Sequence, residues 1–276
     1  MVGSPRNWRT FSVVATLVAL VLFPIYWMVV TAHLPTAIVL SRTPPLIPPL
    51  SEMSFDAFER ALLRRPFLTW MGNTIFVAIG STLLSLVIAT LAGYSLSRYR
   101  SRVQEMSGLA LLLSKMLPGS LVVIPFFIMA SRAALIDNRL ALILANTSVG
   151  VPFATWMMKG FFDAIPREID AAATIDGCSR LQALWYVVLP IARPGLTAAA
   201  IYLFIVAWAD FVFARTLINS PELWTLTTGL ASFVGEHGVD WPGLMAAGTL
   251  SMIPILFLFV LLEPYLVSGM SAGAVK

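Results

Sequence analysis

The sequence predicts an all-α fold, a polytopic membrane protein with six transmembrane helices. Three observations carry this. Of the 276 residues, 58% are hydrophobic and 12% are charged, while average soluble domains carry about a quarter charged residues. The apolar residues gather into six runs, each at least as long as the roughly 20 residues that cross a hydrocarbon core. No soluble domain, low-complexity tract or clear internal repeat intervenes. The net charge of +4 has no basic cluster on a polar face, which excludes a nucleic-acid binder. The one cysteine, Cys178, excludes an intramolecular disulfide.

The first run, 11–32, follows a short polar start with Arg6 and Arg9. A cleaved signal peptide would have an apolar region of about 7–15 residues before a small-residue site. This run is longer and no such site follows, so a retained helix is expected. Pro35, Pro44, Pro45, Pro48 and Pro49 then rule out a helix there. Phe55, Phe58, Leu62 and Leu63, with Asp56 and Glu59 between them, suggest a short amphipathic helix on the membrane; a solvated loop with one helical turn is the competing reading. The second span covers 67–97. The third, 106–130, is interrupted at Pro118-Gly119 and Pro125. The fourth, 140–162, contains Pro152, and 196–218 and 244–267 are the fifth and sixth.

Lys and Arg set the orientation. With the first segment inside, the inner segments hold Arg6, Arg9, Arg98, Arg100, Arg102, Lys159, Arg167, Arg180, Arg193 and Lys276. The outer segments hold Arg42, Arg60, Arg64, Arg65, Arg132 and Arg139. Both termini are therefore expected on the cytoplasmic side. The loop 163–195, between spans four and five, falls there too.

That loop carries Asp163, Arg167, Glu168, Asp170, Asp176, Arg180 and Arg193, too much charge for lipid. Pro166 suits the start of a helix, and Ile165, Ile169, Ala172 and Ala173 form a helical stripe. Gly177 breaks it after Asp176. Ser179 and Gln182 have capping-box spacing for a second helix. Its stripe is Leu181, Leu184, Trp185 and Val188, and Pro190 is expected to stop it. Such a helix–turn–helix would dock a soluble partner, or lie on the membrane surface as an amphipathic connector.

Inside the spans an ionisable side chain costs about 2.5–3.5 kcal/mol at a helix centre. Two stand out, Lys115 and Asp210. Two compatible readings are open. Asp210 lines a solute path, accepting bonds from sugar hydroxyls beside the aromatic faces of Trp208, Phe211 and Phe213. Alternatively Lys115 and Asp210 pair to close the bundle. Pro118, Gly119 and Pro125 suggest a helix lining a cavity, since broken backbone at membrane depth needs protein or water around it; a plain kink is the alternative. Asn73 and Asn146 are suited to bridging helices. No nucleophile, metal cluster or acid–base pair is arranged for covalent chemistry. His33 and His237 are the only histidines, without a HExxH pattern. No Gly-rich loop followed by Lys-Ser/Thr is present, so the chain has no ATP site of that kind.

Ala172, Ala173, Asp176, Gly177, Ser179, Leu189, Pro190 and Pro194 resemble the coupling loop of ATP-binding-cassette importer permeases: Glu-Ala-Ala, then Asp-Gly, then a hydrophobic helix ending in Leu-Pro. The family's acid falls at Ala171, and the nearest acids are Asp170 and Glu168. Residues 207–213, AWADFVF, resemble the Trp-Asn-Glu/Asp-Phe pattern of the maltose-type carbohydrate permeases, with Ala209 in place of the amide. The Pro-rich outer segment, Met116-Leu117-Pro118 and the tail LVSGMSAGAVK agree. The resemblance covers nearly the whole chain, as one transmembrane domain of an importer in the bacterial cytoplasmic (inner) membrane. It implies a sugar importer's permease subunit that is not itself an enzyme. Its implied partners are a second permease, two ATPase subunits that bind ATP and Mg, and an external sugar-binding protein. It implies ATPase docking by Glu168, Asp170, Ala172, Ala173, Asp176, Gly177, Ser179, Leu189 and Pro190. It places Gly269, Ser271 and Gly273 of the tail 268–276 at the same interface, and Asp210, Trp208, Phe211, Lys115 and Pro118 on the substrate path. An ion-coupled secondary transporter using Asp210 and Lys115 is the alternative; it would leave the docking loop unexplained.

Overall fold

The computed structural model describes residues 8–48, 50–235 and 238–273. The predicted His237 lies outside them. Twelve helices form the frame: α1 (Trp8–His33), α2 (Asp56–Leu63), α3 (Phe67–Arg98), α4 (Arg102–Ser114), α5 (Gly119–Arg132), α6 (Arg139–Asp163), α7 (Arg167–Ile175), α8 (Arg180–Ile191), α9 (Arg193–Trp208), α10 (Val212–Leu217), α11 (Leu226–Ala231) and α12 (Trp241–Gly273). Against the expectation of no helix in the Pro-rich segment, a single turn forms at Thr36–Val39, where Pro35 precedes the turn and blocks none of its bonds; a two-residue antiparallel ladder pairs Val234 with Val239.

Four helices, α1, α3, α6 and α12, are each long and apolar enough to cross a bilayer. They start and stop close to the expected bounds, with one exception. Helix α12 continues to Gly273, so the backbone of Gly269, Ser271 and Gly273 is helical and not an irregular tail; residues 274–276 lie outside the described set. The expected third span is two helices. The Lys115 amide donates to the Leu112 carbonyl at 3.1 Å and closes α4. Pro118 is then extended, with φ −64° and ψ 139°, and opens α5. The proline supplies no N–H and disfavours helical backbone before it, whereas Pro125 is carried inside α5. The expected fifth span, 196–218, is also two pieces, α9 and α10, with residues 209–211 between them.

The chain divides into two units, Met1–Leu68 with Gly229–Ile253, and Thr69–Thr228 with Pro254–Lys276. In the first, α2 forms where an amphipathic helix was expected, but a different face is inside. Ala57 and Ala61 are buried while Phe55 and Leu63 are exposed. Small side chains let the backbones approach, and Ala57 meets Ala32 and Ala246. Phe55 and Phe58 flank the His33 ring instead, with centroids 5.0 and 4.9 Å away. Arg65 lies 4.1 Å over the Phe233 ring and donates to Ser232 Oγ at 2.9 Å.

In the second unit α6 packs on α9, and both share a core cluster with Ala89 of α3. Gly195 sits so close to Phe161 that a Cβ there would fall 2.4 Å from the ring. One cluster, with Met158, Phe162, Leu184, Val188 and Leu203, lies under the 163–195 loop. The other joins Val77, Leu142 and Ala145 to Phe213 and Leu217 of α10. Beside it Asp137, at φ +61°, ties two loops together. Its carboxylate accepts from the Asn219 amide at 3.0 Å, the Ser220 amide at 2.9 Å and the Ser220 hydroxyl. These bonds, first that of the Ser220 hydroxyl, hold the Asp137 carboxyl below the usual carboxylate range. The stabilisation is therefore complete above that range and is lost as pH falls through the lowered value. Amide exchange, corrected for its intrinsic rate, should show Asn219 and Ser220 protected at about pH 5 and less so at about pH 2.5. Equal protection at both would remove the carboxylate's part in the anchor.

Candidate functional site

The 163–195 loop is built as its sequence foretells at the first helix and the turn. Pro166 is the N-cap of α7. Its C-terminus is closed by two bonds, Cys178 N to Ala173 O at 3.0 Å and Gly177 N to Thr174 O at 3.1 Å. Together they make a Schellman motif with Gly177 in the left-handed position, φ +88°. Ser179 and Gln182 form the capping box in both directions. Ile165 and Ala173 are buried, as are Leu184 and Val188, whereas Ala172, Leu181 and Trp185 point outward. The outward set belongs to the other side of each short helix, so the expected stripes are narrower than drawn.

Pro190 does not stop the second helix. The chain passes through residues 183–188 as π-helix and continues through Pro190 to Ile191. A wider turn relieves the clash between a proline ring and the carbonyl four residues back. The real stop is a bend of 83° between α8 and α9. Leu189 is half-buried and Pro190 exposed.

Of the two acids near Ala171, Asp170 is occupied internally. Arg98 Nε lies 2.9 Å from its Oδ2 and Tyr94 OH donates to its Oδ1 at 2.5 Å. Glu168 and Asp176 are exposed. The outer face thus carries Glu168, Ala171, Ala172, Asp176, Gly177 and the protruding Ile175, 86% exposed. A cavity of about 220 Å³ beside Ala171 is lined by Arg98, Arg167, Arg180 and Asp170. In the sequence Arg98 counts only as a positive charge and Tyr94 carries no signal; both fall at the end of an apolar run, where no periodicity marks them.

The second candidate region surrounds the break at 209–211. The Asp210 carboxylate accepts from the Phe213 and Ala214 amides, each at 3.2 Å, and from Asn146 Nδ2 at 3.4 Å. Thr227 Oγ1 donates to the Asp210 carbonyl at 2.5 Å. Asp210 therefore caps α10, satisfying amides that would otherwise be orphaned. The expected Lys115–Asp210 pair does not form. Among the described residues the ion pairs are Arg60–Asp240, Arg98–Asp170 and Lys159–Asp163, and Lys115 Nζ donates to the Val149 carbonyl at 2.5 Å. The physical reason is that two amides and an amide side chain already hold the carboxylate.

The aromatic faces sort differently from expectation as well. Trp208 is buried and stacks on Phe204, centroids 5.4 Å apart at 25°. Phe213 is buried edge-on against Phe126 at 5.6 Å. Only Phe211 keeps a partly open ring, 42% exposed. Pro118 is exposed at the break between α4 and α5. Asn146 and Thr227 were not singled out as ligands of Asp210; a polar residue every few turns of a long apolar helix does not say which neighbour it meets.

Comparison with known proteins places this arrangement. A family model described as binding-protein-dependent transport system inner membrane component matches residues 85–272. The diacetylchitobiose uptake system permease protein DasC of Streptomyces coelicolor is 34% identical over 271 residues, 98% of this chain and 97% of that one. The maltodextrin transport system permease protein MdxG of Bacillus subtilis is 36% identical over 224 residues, 81% of each. Among solved structures, a bacterial ABC transporter involved in import of the acidic polysaccharide alginate superimposes with a TM-score of 0.79. It is 23% identical, over 96% of this chain and 99% of that one.

Proposed function

The chain belongs to the family of binding-protein-dependent transport system inner membrane components, and from that premise we propose that it is a sugar-conducting permease half of an ATP-driven importer. It is a multi-pass protein of the bacterial inner membrane. The observation that carries the functional reading is the docking loop: a capped helix–turn–helix whose outer face combines small residues around Gly177 with exposed Glu168, Ile175 and Asp176. No transporter powered by an ion gradient needs such a face, and Asp210, the carboxylate an ion-coupled scheme would use, is spent on capping α10. The ion-coupled alternative is set aside.

In this reading the chain crosses the membrane six times, through α1, α3, α4 with α5, α6, α9 with α10, and α12. Both termini and the loop 163–195 are cytoplasmic, by the ten-to-six excess of Lys and Arg counted from the sequence. Two ATPase subunits, which bind the ATP and Mg, grip the loop of this chain and that of a second permease. Glu168, Asp176 and the surface of Ala172, Gly177, Ser179 and Leu189–Pro190 meet the ATPase, while Asp170 holds the loop from inside. Gly269, Ser271 and Gly273, at the end of α12, lie at the same interface. An external binding protein delivers the sugar. The solute passes the two interrupted helices, past Phe211 and the Lys115–Pro118 break, and Asp210 keeps the Phe211 corner open. The chain itself transfers no chemical group.

Purification in mild detergent from the native membrane, with the companions identified by mass, tests this. A second permease, an ATPase and a binding protein are expected. The chain alone, still competent for uptake when reconstituted, would overturn the reading.

A further inference from the structure

Helix α3 differs from the other long helices. It runs 32 residues from Phe67 to Arg98 with no proline, whereas α1, α5, α6 and α12 each contain at least one. At about 1.5 Å per residue, its 32 residues make a rod of about 48 Å. Each end is fixed by a different set of polar bonds to a different loop.

At one end Arg98 is a hub. Besides Asp170, it donates to the Phe162 carbonyl at 2.9 Å and the Ile165 carbonyl at 3.2 Å. The Phe162 carbonyl, in the last turn of α6, also accepts from the Ile165 amide at 3.1 Å, and Ile165 lies two residues beyond the helix, so Arg98 clasps the turn that leads from α6 into α7. Tyr94 holds the other oxygen of Asp170, and Arg167 donates back to the Ser97 carbonyl at 2.9 Å. The Arg98 and Asp170 side chains are only 8% and 18% exposed. Removing one partner of a buried pair leaves an uncompensated charge, so this joint resists slipping.

At the other end Asn73 is buried and donates to the Glu222 and Trp224 carbonyls, both at 2.9 Å. It accepts from Arg139 at 3.1 Å. One residue on, Thr74 Oγ1 accepts from the Leu226 amide at 2.7 Å. The segment 222–226 is thereby held to α3 as α7 is held at the far end. It is the segment that follows α10, and Thr227 just beyond it holds the Asp210 carbonyl.

We infer that α3 is the transmission rod of this permease, with Arg98 and Asn73 as its two positioning residues. A displacement of the docking helix α7 by the ATPase reaches the outer segment 222–226 along α3. Arrival of a loaded binding protein on that outer segment reaches the dock by the same route. The Arg98 side chain is 8% exposed and Asn73 is buried, so neither belongs to the exposed docking face. The inference rests on the orientation and docking given under the proposed function.

The test uses the whole importer in proteoliposomes, with the binding protein and its sugar outside. ATP hydrolysis is measured with and without the loaded binding protein. Arg98→Gln and Asn73→Ala should each leave basal hydrolysis unchanged. Each should cut stimulation by the binding protein about 5-fold or more, the size of ordinary coupling between sites. Hydrogen exchange gives a readout that a local structural role would not move. Asn73→Ala should raise exchange in residues 167–175, and Arg98→Gln in residues 222–226, because coupling is reciprocal. Stimulation at the wild-type level in either variant, basal and stimulated hydrolysis falling together, or exchange changing only near the substituted end would each overturn the rod. If Arg98→Gln fails to assemble, Tyr94→Phe takes its place with the same criteria. An unstimulated wild-type complex would instead sink the importer reading itself.

Discussion

Gly177→Val is expected to cut sugar uptake about tenfold or more while leaving the chain at its normal level in the membrane. Gly177 sits at φ +88°, where a β-branched side chain is strongly disfavoured and an ordinary L-residue loses about 1–2 kcal/mol. The Schellman bonds from Gly177 and Cys178 to the last turn of α7 depend on that φ. A Cβ at this position meets nothing within 4 Å, so the valine would not be crowded within the chain. The strain must be relieved by changing the turn, which moves α7 relative to α8. Since about 1.4 kcal/mol is tenfold in affinity, the ATPase should be retained about tenfold less well or worse. Because the site is exposed, the valine methyls would also stand on the docking face. Gly177→Asn separates the two effects, since asparagine tolerates the left-handed region. With Asn near normal and Val inactive, the backbone conformation is what the dock needs. With both inactive and the turn intact by exchange, bulk at the interface is the cause. Normal uptake and normal ATPase retention in Gly177→Val would remove Gly177 from the dock.

The parts of this molecule legible in the sequence are those set by local rules. Gly177 and the Ser179–Gln182 box were readable because caps involve residues a few positions apart. Spans such as 67–97 and 140–162 were readable because apolar length is a one-dimensional property. What was not legible depends on which side chain meets which across the bundle. The stretch AWADFVF reads as continuous helix by hydropathy, and Asp210 reads equally well as a solute ligand and as a partner for Lys115. Only the fold reveals that the chain turns at 209–211 and that two of its own amides reach the carboxylate first. Pro190 failed as a stop for a related reason: a π turn upstream absorbs it, and hydrogen-bond register leaves no trace in composition. Arg98 was only a count toward orientation until its position against Phe162, Ile165 and Asp170 was known.

Asp210→Ala should reduce uptake at least about tenfold with the chain still inserted, and Asp210→Asn should recover part of it. Alanine leaves the Phe213 and Ala214 amides without their acceptor at the break. Loss of a helix cap costs about 0.5–2 kcal/mol in water and more where no water replaces it. The loss falls on α10, which carries Phe213, Ala214 and Leu217 into one core cluster. The corner presenting Phe211 then loosens, and solute passage suffers before insertion does, because α3, α6 and α9 do not depend on the cap. Asparagine keeps one acceptor oxygen, enough for one of the two amides that the carboxylate oxygens serve separately, and so restores part of the cap without the charge. Uptake by membrane vesicles, with the amount of inserted chain and of co-purified ATPase measured alongside, decides among the outcomes. Recovery with Asn means the carboxylate serves the geometry of the path. If Asn is as inactive as Ala while assembly is normal, the solute uses the negative charge itself, and Asp210 binds it directly beside Phe211. If Ala removes the chain from the membrane, the cap is needed for folding, and the path must then be probed at Phe211, whose half-open ring can be trimmed to leucine without touching any hydrogen bond of the break.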